Sequence, residues 1–296
     1  MRKIYEKKRY CEGKKLKAGY LGPTATFTDL AVQSAFPHVE KQPYVTIPDC
    51  IEAAQRKAVD MAVIPLENAL EGSVNVTIDY LFHETSLPIA AEVIVPIQQH
   101  LMVHPHNEEN WRQVEKILSH PHALAQCHQF LHKELHGIPL EQRNSTAAAA
   151  KYVQEHPEMN IAAIANELAA EKYQLKTVQE NIHDYSFNHT RFIVLTHEPE
   201  RISIPAKPHV EKTTIMVTLP SDKSGSLHQV LAAFAWRNLN LSKIESRPLK
   251  KGLGKYFFMI DINHKMDDIL LPNALEEIKA LGCKVKLLGS YSSYVF

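Results

Sequence analysis

The run Asn188-His189-Thr190-Arg191-Phe192-Ile193-Val194-Leu195 sets a hydroxyl and a fixed cation against an apolar strand tail. That order places both polar groups at a strand mouth, where α/β sheets bind ligands. Upstream, Tyr173, Leu175 and Val178 stand at helical spacing, followed by Asp184. Gly19–Thr28 runs from a strand into a helix, and glycine permits the tight turn between them. Free N–H groups there, with the Thr24 and Thr26 hydroxyls, would face an anion. Ile64–Val74 puts Asn68 just past a buried strand and Ser73 at a helix start. An asparagine side chain donates and accepts at once. Ser119–Cys127 joins another strand to a helix, and Asn144–Ala150 offers the Ser145 and Thr146 hydroxyls with free amides. Taken singly, each segment also reads as a capped turn or an ordinary strand residue.

Histidine supplies a rival reading. His128, His132 and His136 lie on one helix face, a spacing that suits a metal, with His104 and His106 elsewhere. No carboxylate completes the set nearby, and a solvated helix face is the default. There is no Gly-x-Gly-x-x-Gly after a strand and no phosphate-binding loop, so no cofactor and no metal are expected.

The elements that must position these groups belong to a chain of 296 residues, long for one domain. Apolar residues make up 45% and charged residues 22%, ordinary for a globular protein. Thirty-three basic residues balance 33 acidic ones, so no global field recruits nucleic acid or a membrane. An anion must therefore be held by locally placed donors. Cys11, Cys50, Cys127 and Cys283 form no Cys-x-x-Cys pair, which favours free thiols in a reducing cytoplasm. No apolar run approaches the ~20 residues that span a bilayer. Residues 1–15 are basic and aperiodic, and read as an N-terminal extension outside the fold.

From Leu16 to about Thr196, short β-rich runs alternate with amphipathic helices. Strands are expected at Ala18–Leu21, Pro43–Ile47, Met61–Pro65, Ile89–Val103, Lys116–Ser119, Ile161–Ile164 and Arg191–Leu195. Helices are expected at Thr28–Phe36, Cys50–Ala58, Ser73–His83, Ala123–His136 and Ser145–Gln154. Ile89–Val103 is too long for one average strand of about 5–6 residues. It reads as a strand that leaves one lobe, passes a hinge near Pro96 and enters a second lobe at about 97–177. The strand at Arg191–Leu195 returns, leaving a cleft between the lobes. His197–Lys212, with Pro199, Pro205 and Pro208, reads as an extended linker. Beyond it come strand Thr213–Leu219, helix Leu227–Arg237, strand Leu241–Arg247, a turn at Lys251–Gly254, strand Lys255–Ile262, helix Asn273–Leu281 and strand Lys284–Leu288. That order is βαββαβ, the ferredoxin-like arrangement.

In this order the motifs resemble those of the prephenate dehydratases. Thr190-Arg191-Phe192 resembles the family's Thr-Arg-Phe motif. Gly19–Thr28 resembles its opening motif, with Ala25 where the family often has glycine. Pro65-Leu66-Glu67-Asn68, Ser119-His120-Pro121 with Gln126-Cys127, and Ser145-Thr146-Ala147-Ala148 resemble its cleft segments. The last domain, 213–291, resembles an ACT domain. Gly225-Ser226-Leu227-His228 and Glu245-Ser246-Arg247-Pro248 resemble its phenylalanine-binding motifs. The resemblance spans about Leu16 to Tyr291.

The resemblance implies an α/β protein: a bilobed, periplasmic-binding-protein-like catalytic domain at 16–196, a linker at 197–212 and the ACT domain. It implies decarboxylating dehydration of prephenate to phenylpyruvate in L-phenylalanine biosynthesis, with feedback by L-phenylalanine. Thr190 is the expected catalytic residue, with Thr26, Asn68, Ser73, Ser119, Gln126, Ser145, Thr146 and Arg191 as substrate contacts. Arg191 has two readings, a substrate carboxylate or an internal acid such as Glu67 or Asp184; Phe192 reads as core. Gly225, Ser226, Leu227, His228, Asn240, Glu245, Ser246, Arg247 and Pro248 are the expected phenylalanine contacts. The same resemblance implies a homodimer or homotetramer, with no nucleic-acid or membrane partner. A leader of 15 residues is too short for a fused chorismate mutase. A threonine hydroxyl is too weak an acid to give up its proton at neutral pH, so Thr190 is expected to hydrogen-bond the departing oxygen, relaying from water or His120. Two alternatives stand beside this reading: an arogenate dehydratase, and a non-catalytic amino-acid-binding regulator.

Overall fold

A computed structural model describes residues 15–221, 223–250 and 256–296. The leader expected before Lys15 and the turn expected at Lys251–Gly254 lie outside the described residues. The chain opens with three parallel strands, β1 (Lys17–Leu21), β2 (Glu40–Tyr44) and β3 (Met61–Asn68), in the order β2-β1-β3. Helices α1 (Phe27–Ala35) and α2 (Ile47–Gln55) connect them. Thr26 and Thr46 start these helices by accepting the Asp29 and Asp49 N–H groups. A two-residue strand, β4 (Gly72–Ser73), folds back on β3 before α3 (Asn75–His83).

The apolar run at 89–103 divides as its length requires. β5 (Ile89–Pro96) belongs to the first sheet and β6 (His100–Val103) to a second. The second lobe adds β7 (Lys116–Ser119), α4 (Pro121–Gln126), α5 (His128–Glu134), β8 (Leu140–Gln142), α6 (Thr146–Glu155), β9 (Ile161–Ala165), α7 (Glu167–Tyr173) and β10 (Lys176–Gln179). Its strand order is β10-β6-β9-β7-β8. β11 (His189–Thr196) then returns and pairs antiparallel with both β3 and β5. The bilobed α/β body expected from the sequence is present, with two crossing connections.

Three local expectations change. The helix read at 123–136 breaks at Cys127, and Asp184 accepts the Gln129 N–H at 3.1 Å to start α5 afresh. Tyr173, Leu175 and Val178 do not share a helix: Gln174 adopts φ 53 and ends α7, and Lys176–Gln179 is extended. Ala25 keeps the left-handed conformation, φ 66, despite its Cβ, and buries that methyl among second-lobe residues such as Met102 and Ala147.

The C-terminal unit comprises β12 (Val210–Thr218), α8 (Ser226–Ala235), β13 (Leu241–Pro248), β14 (Tyr256–Ile262), α9 (Leu270–Ala280) and β15 (Lys284–Val295). That is the expected βαββαβ order, but the unit is not tethered as a separate bead. β15 continues to Val295 and pairs parallel with β5, giving one ten-stranded sheet ordered β13-β14-β12-β15-β5-β11-β3-β1-β2, with β4 beside β3. The connector is likewise docked: Ile202 and Ile204 pack against the core beneath α1, and β12 already starts at Val210.

Helices α8 and α9 cover one face of the C-terminal strands. The other face presents Met216, Phe257, Met259 and Leu288 to Ile64, Ile78 and Leu81 of the first lobe. Phe82 stacks on Phe257 with ring centroids 4.0 Å apart. Each such buried side chain contributes about 1.5–3 kcal/mol. The Lys286 ammonium donates to the Leu81 and Thr85 carbonyls at 2.7 Å and so caps the C-terminus of α3. Among the described residues no helix is long and apolar enough to cross a membrane.

Gly289 lies where β15 crosses β5, and a Cβ there would collide with the Ile89 backbone, its carbonyl oxygen first. Gly289→Ala is therefore expected to destabilise the protein by about 1–3 kcal/mol. Urea denaturation checks this, and an unchanged midpoint would show that the junction yields freely.

Candidate active site

Period-two alternation divides the chemistry of β11 between two faces. Thr190 and Phe192 line a cavity of about 510 Å³ between the lobes, while Arg191 emerges on the opposite face of the sheet. Asn68 stands beside Thr190 in register. Its Oδ1 accepts the Leu70 and Glu71 N–H groups, both at 3.0 Å, which identifies the other end of the amide as the donor. Nδ2 donates to Thr190 Oγ1 and to Asn188 Oδ1, each at 2.9 Å. Thr190 Oγ1 is thus an acceptor from the protein. Its own proton meets no described protein acceptor and is left for the cleft.

The N-termini of α1, α3, α4 and α6 all reach the cleft, through Thr26–Thr28, Ser73–Val74, His120–Ala123 and Asn144–Thr146. Helix N-termini carry partial positive charge and free N–H groups. Among the described residues no lysine or arginine lines the cavity, and Glu71 is the one carboxylate there. Its Oε2 lies 3.5 Å from His122 Nδ1 across the mouth. His120 Nδ1 accepts the His122 N–H at 3.3 Å, so the proton of its neutral ring sits on Nε2. Burial, then the neighbouring His122, pushes the His120 pKa down and keeps that ring neutral.

The expected site residues divide accordingly. Thr190, Thr26, Asn68, Ser73, Gln126, Ser145 and Thr146 come together around the cavity. Among the described residues the side chains of Gln126 and Thr146 meet no hydrogen-bond partner, and both are buried facing the cavity. Thr26 is committed internally: its hydroxyl accepts from Asp29 N and donates to Leu21 O at 3.2 Å. The Ser73 hydroxyl turns towards the C-terminal unit, accepting from Lys243 at 2.8 Å and donating to Glu245. Ser119 is not brought to the cleft; it is fully buried and donates to the Ile164 carbonyl at 2.6 Å. Thr24 is not among the lining residues. Gln99, Thr28 and Asn144 also line the cavity and were not expected. Gln99 lies in the break between two strands, which no motif marks.

Of the two readings of Arg191, the substrate contact gives way to the internal acid: Arg191 pairs with Glu67, not Asp184, and is not among the residues that line the cavity. Its guanidinium bonds Glu67 and Asp261, each at 2.6 Å, and Glu92 as well. Lys212 also pairs with Glu92, at 2.7 Å. Burial alone would raise the Glu92 carboxyl, but Arg191 and Lys212 outweigh it and hold the group below its ordinary range. Glu67 is held down in the same way, with Lys243 and Arg191 overcoming its burial.

In the C-terminal unit Gly225, with φ 84, precedes α8, and Ser226, Leu227 and His228 form the first turn of that helix at the surface. Asn240 is exposed beside the start of β13. β13 is an edge strand whose Ser246 and Pro248 face solvent. Glu245 and Arg247 point the other way: Glu245 meets Lys243 and Ser73, and Arg247 meets Asp79 at 3.0 Å. The side chains of His128, His132 and His136 line an exposed face of α5 and the turn after it. Among the described residues no group of three or more histidines, cysteines and carboxylates is placed to hold a metal ion.

Residues 18–200 match the family profile of prephenate dehydratase, and residues 213–283 that of the ACT domain. The chain is 58% identical over 284 residues to the prephenate dehydratase of Bacillus subtilis strain 168, covering 94% of this chain and 99% of that one. A solved prephenate dehydratase from Arthrobacter aurescens, in complex with L-Phe, superposes with a TM-score of 0.82 at 32% identity, covering 93% of this chain and 90% of that one. The prephenate dehydratase of Staphylococcus aureus subsp. aureus Mu50 gives 0.78 at 27% identity, covering 93% and 100%.

Replacing Arg191 by methionine removes the cation that three carboxylates share, leaving Glu67 to Lys243 and Glu92 to Lys212 while Asp261 loses its ion pair, and is expected to cost about 3–5 kcal/mol. Glu67 and Glu92 titrate lower in the fold than in the unfolded chain, so their stabilisation is full above the unfolded value near ~4.3 and lost as pH falls through their lower folded values. Urea midpoints measured downward from pH 6 should drop below that value in the wild type, with a shallower slope in Arg191→Met. Equal slopes would contradict the assignment.

Proposed function

The chain belongs to the prephenate dehydratase family, and we propose that Thr190, held by Asn68, is the group that assists departure of the substrate hydroxyl. The reaction is the decarboxylating dehydration of prephenate to phenylpyruvate, regulated by L-phenylalanine through the ACT domain. The ring carboxylate leaves as CO2, its bonding electrons enter the ring, and the C–O bond at the far end breaks. Aromatisation supplies the driving force. The departing oxygen gains charge as the bond breaks and takes a proton from solvent to become water.

A donor aimed at that oxygen is worth most as its charge develops. Thr190 suits the task because Asn68 occupies its acceptor side, leaving the O–H to point into the cleft. This pairing is the observation that carries the reading. The two substrate carboxylates fall to the helix N-termini, Gln126, Ser145, Thr146 and the His120 Nε2–H. The substrate is a dianion and phenylpyruvate a monoanion, so a site built from partial charges releases its product readily.

For the effector, the support is the exposed Gly225–His228 turn and the open β13 edge. An edge strand with unpaired backbone groups also favours pairing with a second copy of the chain, hence a homodimer or homotetramer. We divide the chain into a catalytic domain at 16–196, a connector at 197–212 and a regulatory domain at 213–291. Buried free Cys50, Cys127 and Cys283 fit a reducing cytoplasm.

The first experiment is phenylpyruvate formation from prephenate, with and without L-phenylalanine and without added metal. Turnover suppressed by L-phenylalanine is expected; folded protein without turnover would refute the reading. Thr190→Ser should stay within about tenfold of wild type, while Thr190→Val should lose at least about 10²-fold in kcat. Full activity in Thr190→Val would remove Thr190 from the mechanism.

A further inference from the structure

Strand β13 forms one edge of the large sheet, and its odd-numbered residues face the first lobe. Among them Lys243 is nearly covered, its side chain 11% exposed. Its ammonium donates to Glu67 Oε1 at 2.6 Å and to Ser73 Oγ at 2.8 Å, and pairs with Glu245 at 3.0 Å. Ser73 in turn donates to Glu245. The other oxygen of Glu67 receives Arg191. Glu67 precedes Asn68 in β3, and Arg191 follows Thr190 in β11. Lys243 therefore bonds a neighbour of Asn68, contacts the cleft residue Ser73, and reaches the neighbour of Thr190 through one shared carboxylate.

We propose that Lys243 is a positioning residue for the dehydration, and the contact through which ligand occupancy of the C-terminal unit reaches the cleft. The inference rests on the dehydratase reading above. A buried ammonium is a compact, strongly hydrated charge that must keep its partners. Movement of β13 that separates Lys243 from Glu67 and Ser73 leaves Glu67 held by Arg191 only and frees the β3–β4 turn. That turn holds Leu70 and Glu71, whose N–H groups fix the Asn68 amide. Loss of the turn misaligns the donor to Thr190 without removing any group that touches substrate. L-Phenylalanine inhibits by favouring the arrangement in which this contact is broken, which needs only a difference in its affinity for the two arrangements.

The Lys286 contact to the first lobe, by contrast, serves docking alone. Lys286 caps α3 at the end remote from the cleft, through the Leu81, Phe82 and Thr85 carbonyls. Lys286→Met is therefore the control: lower stability is expected, with kcat and inhibition unchanged.

Lys243→Met is expected to lower kcat about tenfold while the KM for prephenate stays within about twofold, because Lys243 does not reach the cleft. L-Phenylalanine should still bind, within about threefold by calorimetry, but should no longer inhibit. Lys243→Arg, which keeps the charge, should recover part of both properties. Should Lys243→Met fail to fold, Lys243→Gln keeps the stem and a donor and takes its place. Hydrogen exchange over residues 66–74 gives a readout independent of turnover. L-Phenylalanine should accelerate it in the wild type and leave it unchanged in the Lys243 variant. Wild-type kcat and full inhibition in a folded Lys243 variant would overturn the proposal. So would exchange that responds to L-phenylalanine equally in both proteins. Absence of prephenate turnover in the wild type would refute the dehydratase reading instead, and the exchange comparison would still decide whether Lys243 couples the two units.

Discussion

A guanidinium cannot shed its proton to escape burial, so placing Arg191 behind the cleft obliges carboxylates to gather around it. They come from three strands: Glu67 from β3, Glu92 from β5 and Asp261 from β14. Glu92 is fully buried and needs more than one partner, which brings in Lys212 of β12 and Ser293 of β15. Asp261 likewise receives the Thr214 hydroxyl, itself bonded to Tyr291. One cation thereby recruits strands from both units, and the ten-stranded sheet cannot be pulled apart without stranding buried charge. The apolar contacts between the units, Phe257 on Phe82 among them, add buried area, but they are non-directional. The polar cluster sets the register in which that area is buried.

The same strand gives the cleft the opposite character. On the Thr190 face there is no fixed cation among the described residues that line the cavity, although prephenate carries two negative charges. A buried arginine there would bind substrate and product alike, and uniform binding does not speed the chemical step. Partial charges at helix N-termini, each worth about 0.3–1 kcal/mol, hold an anion without trapping it. On the proposed reading they also leave the strongest directed interaction, that of Thr190, to the breaking C–O bond. The cationic and hydroxyl halves of the Thr-Arg pair thus separate, one into an internal ion cluster and the other onto the cleft, through nothing more than strand alternation.

That alternation explains why the residues at 190–192 were legible as a site but not in their division of labour. Two adjacent polar residues at a strand mouth look like two ligand contacts until the far face of the sheet is known to be covered. The carboxylate covering it, Asp261, is 70 residues away and carries no local signal. Ser119 misled in the same way: a serine at a strand end reads as a free donor, and only the neighbouring β9 supplies the Ile164 carbonyl that takes its proton. Periodicity and breakers did locate the hinge near Pro96, the return strand and the βαββαβ unit, since each is written in a few consecutive residues. The run of β15 past Leu288 into pairing with β5 was not readable. Its Ser/Tyr-rich tail lacks the apolar alternation of a strand, and it is ordered by partners distant in sequence.

Joining catalysis and sensing in one sheet has a mechanical consequence. Packed interiors are dense and shift between discrete arrangements rather than deforming smoothly. Helix α3 is held by the C-terminal unit at its middle, through Arg247 and Lys250 on Asp79, and at its end, through Lys286. Its N-terminus opens onto the cleft. The β3–β4 turn just before it is short and partly exposed, and two of its N–H groups bond the Asn68 side chain. A displacement of the C-terminal strands would reach that turn through Lys243 on Glu67 and Ser73, on either side of it. The turn also holds the Asn68 amide that donates to Thr190, so a displacement delivered to the turn is delivered to that hydrogen bond.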